Sequence, residues 1–457
     1  MDLGFIISDE TAVLASGIVL TLALVLALAA SKRRTGSLLT PITVFLVFAY
    51  VHVLFGRYTA FLTTRYTFLG PATLEPFINQ SFFIVATGLT CCCVSYAVMP
   101  FFRPSSIALA LSRISSREAF DQVCARSRLL ILVSVPLILF GLSQLGGIPL
   151  FSDNMRQDRY LLNFLPEYRL ATFLVNRGRE MIVIPAAVLG LGWFFGRRRI
   201  VDLLFVGISA ISCLLTATRA PILAGVLIVL VVLVCRGKAA SVMFTIVAIA
   251  AGLIVSEIAL GDAGPSATGD TAIERVGADI GEVRDLGWFL MKDDQRYWGL
   301  TFLAGLLPIP SFASDFTETY HLRTLTLNAI GISLTAAHGG LRITYSGEWY
   351  LNFGWPGVIF GGLLYGWLCS RFSRIFHILQ ITSESYPVGM CMLACAWVAC
   401  SFMVYLSGSA VGGTLKTYSA VVFVLCIGLP QSAYRQASLS RRTSASNIEW
   451  QQPAINT

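Results

Sequence analysis

Apolar runs about as long as a bilayer crossing, roughly 20 residues, recur along this chain and limit what it can fold into. A segment inside a membrane has no water to pair its backbone N–H and C=O groups, and a helix pairs them internally. The composition agrees, because 56% of the 457 residues are hydrophobic and only 13% are charged. The sequence therefore predicts an all-α polytopic membrane protein.

We predict about 11 membrane-spanning helices, within a range of roughly 10–12, from the length and hydropathy of these runs. The short connections on one side are rich in positive charge, as at 32–34 and 197–199. The positive-inside rule assigns that side to the cytoplasm, so the N-terminus is predicted to be periplasmic and the C-terminus cytoplasmic. The predicted spans are 11–30, 38–56, 77–99, 129–146, 181–196, 200–217, 221–235, 239–259, 349–369, 386–406 and 417–430.

Residues 1–430 are thus expected to form a single integral membrane domain, and the polar residues 431–457 a disordered cytoplasmic tail. Two long segments, 147–180 and 260–345, fall on the periplasmic side. Within the second, 298–312 has the composition of a re-entrant or interfacial helix. None of the 11 cysteines lies in these two segments, so the segments are not disulfide scaffolds.

Arginines on the predicted outer side are informative, because the positive-inside rule does not explain them. Arg219 lies in a short turn between two apolar runs, and Pro221 opens the second run. The positive end of that helix dipole favours binding of a lipid phosphate beside the guanidinium; snorkelling to the head groups is the alternative. Arg177 and Arg179 precede a predicted span, as interface anchors or as part of a pyrophosphate clamp.

The segment 338–366 begins polar and continues as an apolar helix. Its polar part carries an imidazole, a guanidinium and a carboxylate at the mouth of that helix: His338, Arg342 and Glu348. His338 or Glu348 could act as a general base; a hydrogen-bonded structural histidine and a carboxylate favoured by the helix dipole are the alternatives. Two small-residue pairs, which let a neighbouring helix approach closely, follow: Gly357/Gly361 and Gly362/Gly366.

No signature of a soluble catalytic domain is present, since the sequence lacks a Walker loop, a dinucleotide-binding glycine motif, HExxH and GxSxG. Nucleotide hydrolysis is therefore not expected, and neither a cofactor, a metal nor a nucleic acid partner is predicted. Charged residues are also scarce within the predicted spans. This disfavours ion-coupled transport, which normally needs ionisable groups near the membrane midplane.

Three stretches together resemble the Wzy-type polymerases of bacterial surface polysaccharide, the O-antigen or oligosaccharide repeat-unit polymerases. They are GGIPLFSDNMRQDRY at 146–160, TATRAPIL at 216–223 and SGEWYLNFGWPGVIFGGLLYG at 346–366. The long outer segment late in the chain is similar as well. Many members of that family have both chain ends inside, whereas this chain is predicted to have its N-terminus outside.

The resemblance implies a GT-C-like membrane glycosyltransferase of the bacterial inner membrane, acting in lipopolysaccharide or other surface-polysaccharide biosynthesis. Such an enzyme works at the periplasmic face. It transfers a growing glycan from undecaprenyl diphosphate to a lipid-linked repeat unit. Donor and acceptor are then both undecaprenyl-diphosphate-linked oligosaccharides, and membrane lipids and a chain-length regulator protein are the further expected partners.

By position, Arg159, Arg219 and Glu348 match residues of the family's motifs. Because the leaving group is a lipid diphosphate, arginines can neutralise it without a metal. The diphosphate-binding residues are predicted to be Arg159, Arg219, Arg342, Arg177 and Arg179, and the catalytic residues Glu348 and His338. An O-antigen ligase and a lipid or glycan transporter remain the alternative functions.

Overall fold

The computed structural model describes residues 9–38, 40–59, 71–99, 117–144, 148–151, 169–216, 220–237, 282–293, 295–306, 316, 319–329, 331, 341, 343–382 and 388–406. Every regular element in these ranges is helical, which confirms the predicted all-α class for this part of the chain. The helices are α1 (Asp9–Thr35), α2 (Pro41–Thr59), α3 (Pro71–Val98), α4 (Arg117–Ser143), α5 (Arg169–Phe194), α6 (Ile200–Leu215), α7 (Ala220–Cys235), α8 (Glu282–Lys292), α9 (Leu300–Leu306), α10 (Leu322–Ala329), α11 (Tyr345–Thr382) and α12 (Val388–Leu406), with one 3₁₀ turn at Pro149–Phe151.

Three helices of the described ranges are long and apolar enough to cross a membrane, namely Glu10–Thr35, Leu74–Val98 and Arg117–Ser143. Shorter apolar segments accompany them at Pro41–Arg57, Ile200–Leu215, Ala224–Cys235 and Val388–Val398. These helices are compatible with a helical membrane protein. Two predicted spans, 239–259 and 417–430, lie outside the described residues, as does the tail, and each of the others overlaps a helix. The count of about 11 crossings stays a prediction.

Helix α3 lies at the centre of one group of helices, in contact with α1, α2, α8 and α11. It runs parallel to α11 at a very short distance. A Cβ atom on Gly362 would lie 2.4 Å from the carbonyl oxygen of Gly88, and one on Gly366 would lie 2.2 Å from that of Cys92. The close helix approach predicted for this glycine pair is therefore confirmed, because only glycine leaves room for the neighbouring backbone.

Helix α11 is broken at Gly354, whose φ of 64° and ψ of −152° are not helical. The Tyr345 hydroxyl donates to the Gly361 carbonyl over 3.0 Å, although these two residues would be about 24 Å apart along a straight helix. Residues 345–353, the short arm, therefore fold back along 355–382, the long arm. The predicted continuous span 349–369 is wrong at its start. Accordingly, Gly361 contacts Trp349 of the short arm rather than another span.

Helices α4, α5 and α6 form a second group. Helix α5 begins at Arg169, within the segment 147–180 that was predicted to be a loop. It crosses α4 closely, because a Cβ atom on Gly141 would lie 2.8 Å from the Ala171 carbonyl oxygen and one on Gly178 would lie 3.0 Å from that of Ser134.

Arginines from several helices gather at one end of the bundle, here called the basic end. Arg34 caps the C-terminus of α3, since its guanidinium donates to the carbonyls of Tyr96 at 2.6 Å and Met99 at 2.8 Å. Arg236 lies 6.0 Å from the Phe195 ring centroid, so the C-terminal ends of α5 and α7 meet there. The clustering agrees with the charge asymmetry on which the predicted orientation rests.

The same end contains a buried ion cluster. Asp202, at the start of α6, is 1% exposed. Its carboxylate lies 3.3 Å from the Nε of Arg128 on α4 and 3.3 Å from the Nε of Arg197 after α5. One carboxylate thus links three helices, and the two guanidiniums offset the cost of burying it.

Candidate functional site

The structure describes Glu348, Arg177 and Arg179 among the residues predicted for the site. His338, Arg159, Arg219 and Arg342 lie outside the described residues. The convergence of the last three on one diphosphate therefore stays a prediction, and the geometry that follows is built from Glu348 outward.

Glu348 lies on the short arm of α11, which begins with a capped turn. The Thr344 hydroxyl accepts a hydrogen bond from the Gly347 N–H at 3.0 Å, and the Thr344 carbonyl accepts one from the Glu348 N–H at 2.9 Å. Glu348 is only 1% exposed. The prediction that it lies at the mouth of a membrane helix is corrected, because the folded-back arm carries it into the protein interior.

One buried side chain, Thr301, bonds this carboxylate, and a second, Asn352, bonds Thr301. The Thr301 hydroxyl, on α9, donates to Glu348 Oε1 at 3.2 Å. The Asn352 amide donates to the Thr301 hydroxyl at 2.6 Å and to the Glu348 carbonyl at 2.8 Å. Thr301 is 1% exposed and Asn352 is fully buried. Such bonding is what a buried carboxylate requires, since desolvation without a partner costs several kcal/mol.

The break in α11 leaves backbone acceptors free for another segment. In an unbroken helix the carbonyls of Leu351 and Asn352 would accept from the N–H groups of residues 355 and 356. Gly354 interrupts that pattern, and residue 356 is a proline without an N–H. The two carbonyls therefore need other donors.

Three consecutive N–H groups at 297–299 bind Leu351 and Asn352. A left-handed turn, with φ of 51° at Trp298 and 88° at Gly299, brings these donors to the short arm. The bonds run from Tyr297 to the Leu351 carbonyl (3.0 Å), from Trp298 to the Asn352 carbonyl (3.2 Å) and from Gly299 to Asn352 Oδ1 (2.8 Å). The same contacts place Thr301 beside Glu348.

Glu348 lies deep within the bundle. A Cβ atom on Gly88 would lie 2.1 Å from the Ser346 hydroxyl oxygen, so these two residues are at the same height. Gly88 is near the middle of the candidate span Leu74–Val98. Glu348 follows Ser346 by two residues, which places an ionisable group near mid-height. The sequence had indicated few such groups at that depth.

A second ionisable pair is buried on α8. Arg284 and Asp285 are each 4% exposed, and the guanidinium donates to the carboxylate at 2.8 Å and 3.1 Å. Helix α8 packs on α3, where the Ser81 hydroxyl donates to the Val283 carbonyl at 2.6 Å. Arg284 is therefore part of a buried ion pair and does not lie on the solvated surface. Adjacent opposite charges in an amphipathic segment are typical of a surface helix, so nothing in the sequence indicates that α8 is buried.

Arg177 and Arg179 lie within α5 rather than before it, one on each side of the buried Gly178. Residues two apart on a helix point to different sides. Arg179 lies within electrostatic range of Cys213 on α6. Whether the two arginines anchor the helix at the interface or belong to a pyrophosphate clamp stays a prediction.

The turn that supports Thr301 is itself fixed by a buried tyrosine. Burial and the hydrogen bond that its hydroxyl donates to the Asp293 carboxylate raise the pKa of Tyr297 well above its ordinary value. Tyr297 therefore stays protonated and keeps donating at physiological pH. Asp293 also accepts the Gln295 N–H at 3.0 Å.

Sequence reasoning missed Thr301, Asn352 and Asp285. Asn352 could have been found, because it follows Glu348 by four residues and shares its helix face. Thr301 precedes Glu348 by 47 residues, and nothing local marks it. Within the described ranges, no group of three His, Cys, Asp or Glu side chains is placed to hold a metal ion. No protein-family model, curated protein or solved structure matches this chain.

Proposed function

We propose that this protein is a polysaccharide polymerase that transfers a growing glycan from undecaprenyl diphosphate to a lipid-linked repeat unit. The observation that carries the proposal is the buried and hydrogen-bonded carboxylate of Glu348, within the very stretch, 346–366, that resembles the Wzy-type polymerases. A GT-C-like frame of about 11 spans, in a bacterial inner membrane with the site toward the periplasm, belongs to the same proposal.

In the proposed reaction, a hydroxyl of the acceptor's non-reducing-end sugar attacks the anomeric carbon of the donor glycan. The new glycosidic bond forms as the bond from that carbon to the diphosphate oxygen breaks, and undecaprenyl diphosphate leaves. The Glu348 carboxylate accepts the hydroxyl proton, with His338 as the alternative base. Arg159, Arg219 and Arg342 neutralise the charge on the leaving diphosphate.

The burial of Glu348 gives the proposal a physical rationale. A carboxylate inside a low-dielectric interior, oriented by Thr301, can act on a substrate group with little reorganisation. The acceptor hydroxyl would have to reach the carboxylate that Thr301 of α9 bonds. Both substrates are anchored in the membrane, so they would approach a site within the bundle from the lipid side.

The test is polymerisation by the purified full-length protein in lipid nanodiscs supplied with lipid-linked repeat units. Glu348→Gln keeps the shape of the side chain but removes the base, so we expect the transfer rate to fall by about 10²–10⁴-fold. Glu75→Gln, on the exposed surface of α3, is the matched control and should retain the rate. Wild-type rates from Glu348→Gln would remove its assigned role. Failure of the wild type to lengthen any glycan would remove the polymerase itself.

A transporter is the second candidate, and the depth of Glu348 favours it. Ionisable groups near the middle of a membrane helix are characteristic of proton and ion pathways. The same nanodisc or vesicle assay separates the two. Longer glycans with release of undecaprenyl diphosphate identify an enzyme, whereas translocation of the lipid-linked unit without bond formation identifies a transporter.

An O-antigen ligase is distinguished by its product in cells. Loss of a polymerase leaves single repeat units attached to the lipid A core, while loss of a ligase leaves none. Deleting the gene and separating the extracted lipopolysaccharide by size decides between these two.

A further inference from the structure

The short and long arms of α11 form a hairpin, whose tip is the turn at Gly354. Arg296 is held in an aromatic site at this tip. Its guanidinium carbon lies 4.3 Å from the ring centroid of Tyr350, on the short arm. The Tyr350 hydroxyl accepts a hydrogen bond from Gln80 of α3 at 2.9 Å, and the Trp355 ring packs edge-on against Tyr350 at 5.6 Å. The surface on which the guanidinium stacks is thus fixed by two other elements.

The main chain of Arg296 is equally constrained, because the next three residues, 297–299, are bonded to the short arm. A Cβ atom on Gly354 would lie 3.6 Å from the Arg296 Nε, so the guanidinium lies against the hairpin turn. Little side-chain entropy would remain to be lost when a ligand binds there.

The donors of this guanidinium are available to a ligand. Stacking on Tyr350 uses the face of the group, while its N–H bonds lie in the plane and point outward. In the part of the chain that the structure describes, Arg296 makes neither a hydrogen bond nor an ion pair. The nearby Asp293 carboxylate is already bonded to the Tyr297 hydroxyl and the Gln295 N–H. Arg296 is half-buried, and a fixed cation with unused donors favours an oxyanion.

The surroundings indicate where that oxyanion comes from. Large aromatic side chains project around the tip, with exposed fractions of 75% for Trp298, 41% for Trp355 and 37% for Phe353. Exposed tryptophans of this kind gather where membrane meets water. The tip also lies at the opposite end of the long arm from Ser373, whose hydroxyl bonds Tyr96 at the basic end. Both features are what an arginine at the height of lipid head groups would show.

We propose that Arg296, stacked on Tyr350, binds the phosphate oxygens of a lipid head group at the tip of the α11 hairpin. The planar fork of N–H donors matches a phosphate with two parallel hydrogen bonds. The phosphate comes from a bilayer phospholipid or from the isoprenoid diphosphate of a substrate. Only the second source rests on the proposed function.

The test measures lipid binding to the full-length protein in neutral detergent by native mass spectrometry, with undecaprenyl diphosphate and phosphatidylglycerol as separate probes. Arg296→Gln removes the charge and the fork. We expect it to weaken binding of at least one probe about tenfold to hundredfold. Arg33→Gln, an exposed arginine at the basic end, is the control and should leave both affinities within about twofold.

The two probes identify the source. Weakening of the diphosphate alone identifies the substrate, and weakening of both identifies a general lipid-phosphate site; either supports the proposal. Unchanged binding of both probes by folded Arg296→Gln overturns it. Tyr350→Leu supplies a second arm, since it removes the stacking surface while leaving the arginine, and it should weaken the same probe. Inactivity of Glu348→Gln bears on the transfer reaction and leaves this binding result unaffected.

Discussion

Thr301 bonds the Glu348 carboxylate and so helps to orient it. Its single hydroxyl donates to that carboxylate and accepts from the Asn352 amide, so both of its functions in the network are occupied. An isosteric replacement without the hydroxyl would remove one hydrogen bond from the buried Glu348 carboxyl group and one from the buried Asn352 amide. Such losses cost more than the bonds themselves contribute, because neither group regains water.

We therefore expect Thr301→Val to lower the free energy of unfolding by about 1–3 kcal/mol and to reduce glycan transfer, because Glu348 loses its orienting donor. Thr301→Ser keeps the hydroxyl and should retain most of the activity. Denaturation in detergent and the nanodisc assay measure the two quantities. Equal activity of the valine and serine variants would contradict the orienting role, even if both were less stable.

At the scale of elements, the hairpin of α11 depends on Gly354. Its φ of 64° and ψ of −152° lie in a region that essentially only glycine occupies. Proline alone does not explain the break, because Pro136 and Pro185 lie inside helices that continue past them. The hairpin therefore arises from a glycine that can reverse the chain, two residues before a proline that cannot restore the helical bond.

We expect Gly354→Ala to cost about 1–3 kcal/mol of stability through backbone strain, and to displace the short arm together with Glu348. Gly207→Ala on α6 is the matched control, since a Cβ atom there meets nothing within 4 Å. Thermal unfolding of both variants in the same detergent measures the difference. Similar melting temperatures would show that the reversed turn tolerates a side chain.

Most helices could be predicted from the sequence because hydropathy averaged over a bilayer length identifies an apolar helix whatever it packs against. The same averaging conceals the fold-back, since both sides of Gly354 are apolar. The burial of helix α8 could not be predicted because its sequence is charged. Arg284 and Asp285 neutralise each other, and their burial depends on the surface of α3. Glu348 was identified from its segment, whereas its partner on α9 is set only by tertiary contacts.

At the scale of the whole molecule, the bundle has two chemically different ends. One gathers arginines on helix C-termini, as Arg34 does on α3. The other carries the α11 hairpin with its exposed tryptophans. The basic end corresponds to the positively charged connections of the sequence, which are predicted to be cytoplasmic. The predicted orientation can therefore be tested by labelling the two ends.

We expect a cysteine placed at the hairpin end, Gln295→Cys, to react with a membrane-impermeant maleimide in intact spheroplasts, because that end is predicted to face the periplasm. Lys32→Cys, at the basic end, should react only after permeabilisation. Both positions are exposed, so access depends on the side of the membrane rather than on burial. The unsubstituted protein gives the background of its own cysteines. Labelling of Lys32→Cys in intact spheroplasts would reverse the orientation.

The main-chain bonds between 297–299 and the short arm have a mechanical consequence. Two of the three are N–H groups bonded to carbonyls, and neither end of such a bond can rotate away as a side chain does. We therefore expect the loop and the short arm to move together, with Arg296 at the outer edge of this unit and Glu348 in its interior. A tilt of the tip, for example when a ligand binds Arg296, would then also displace the Glu348 carboxylate.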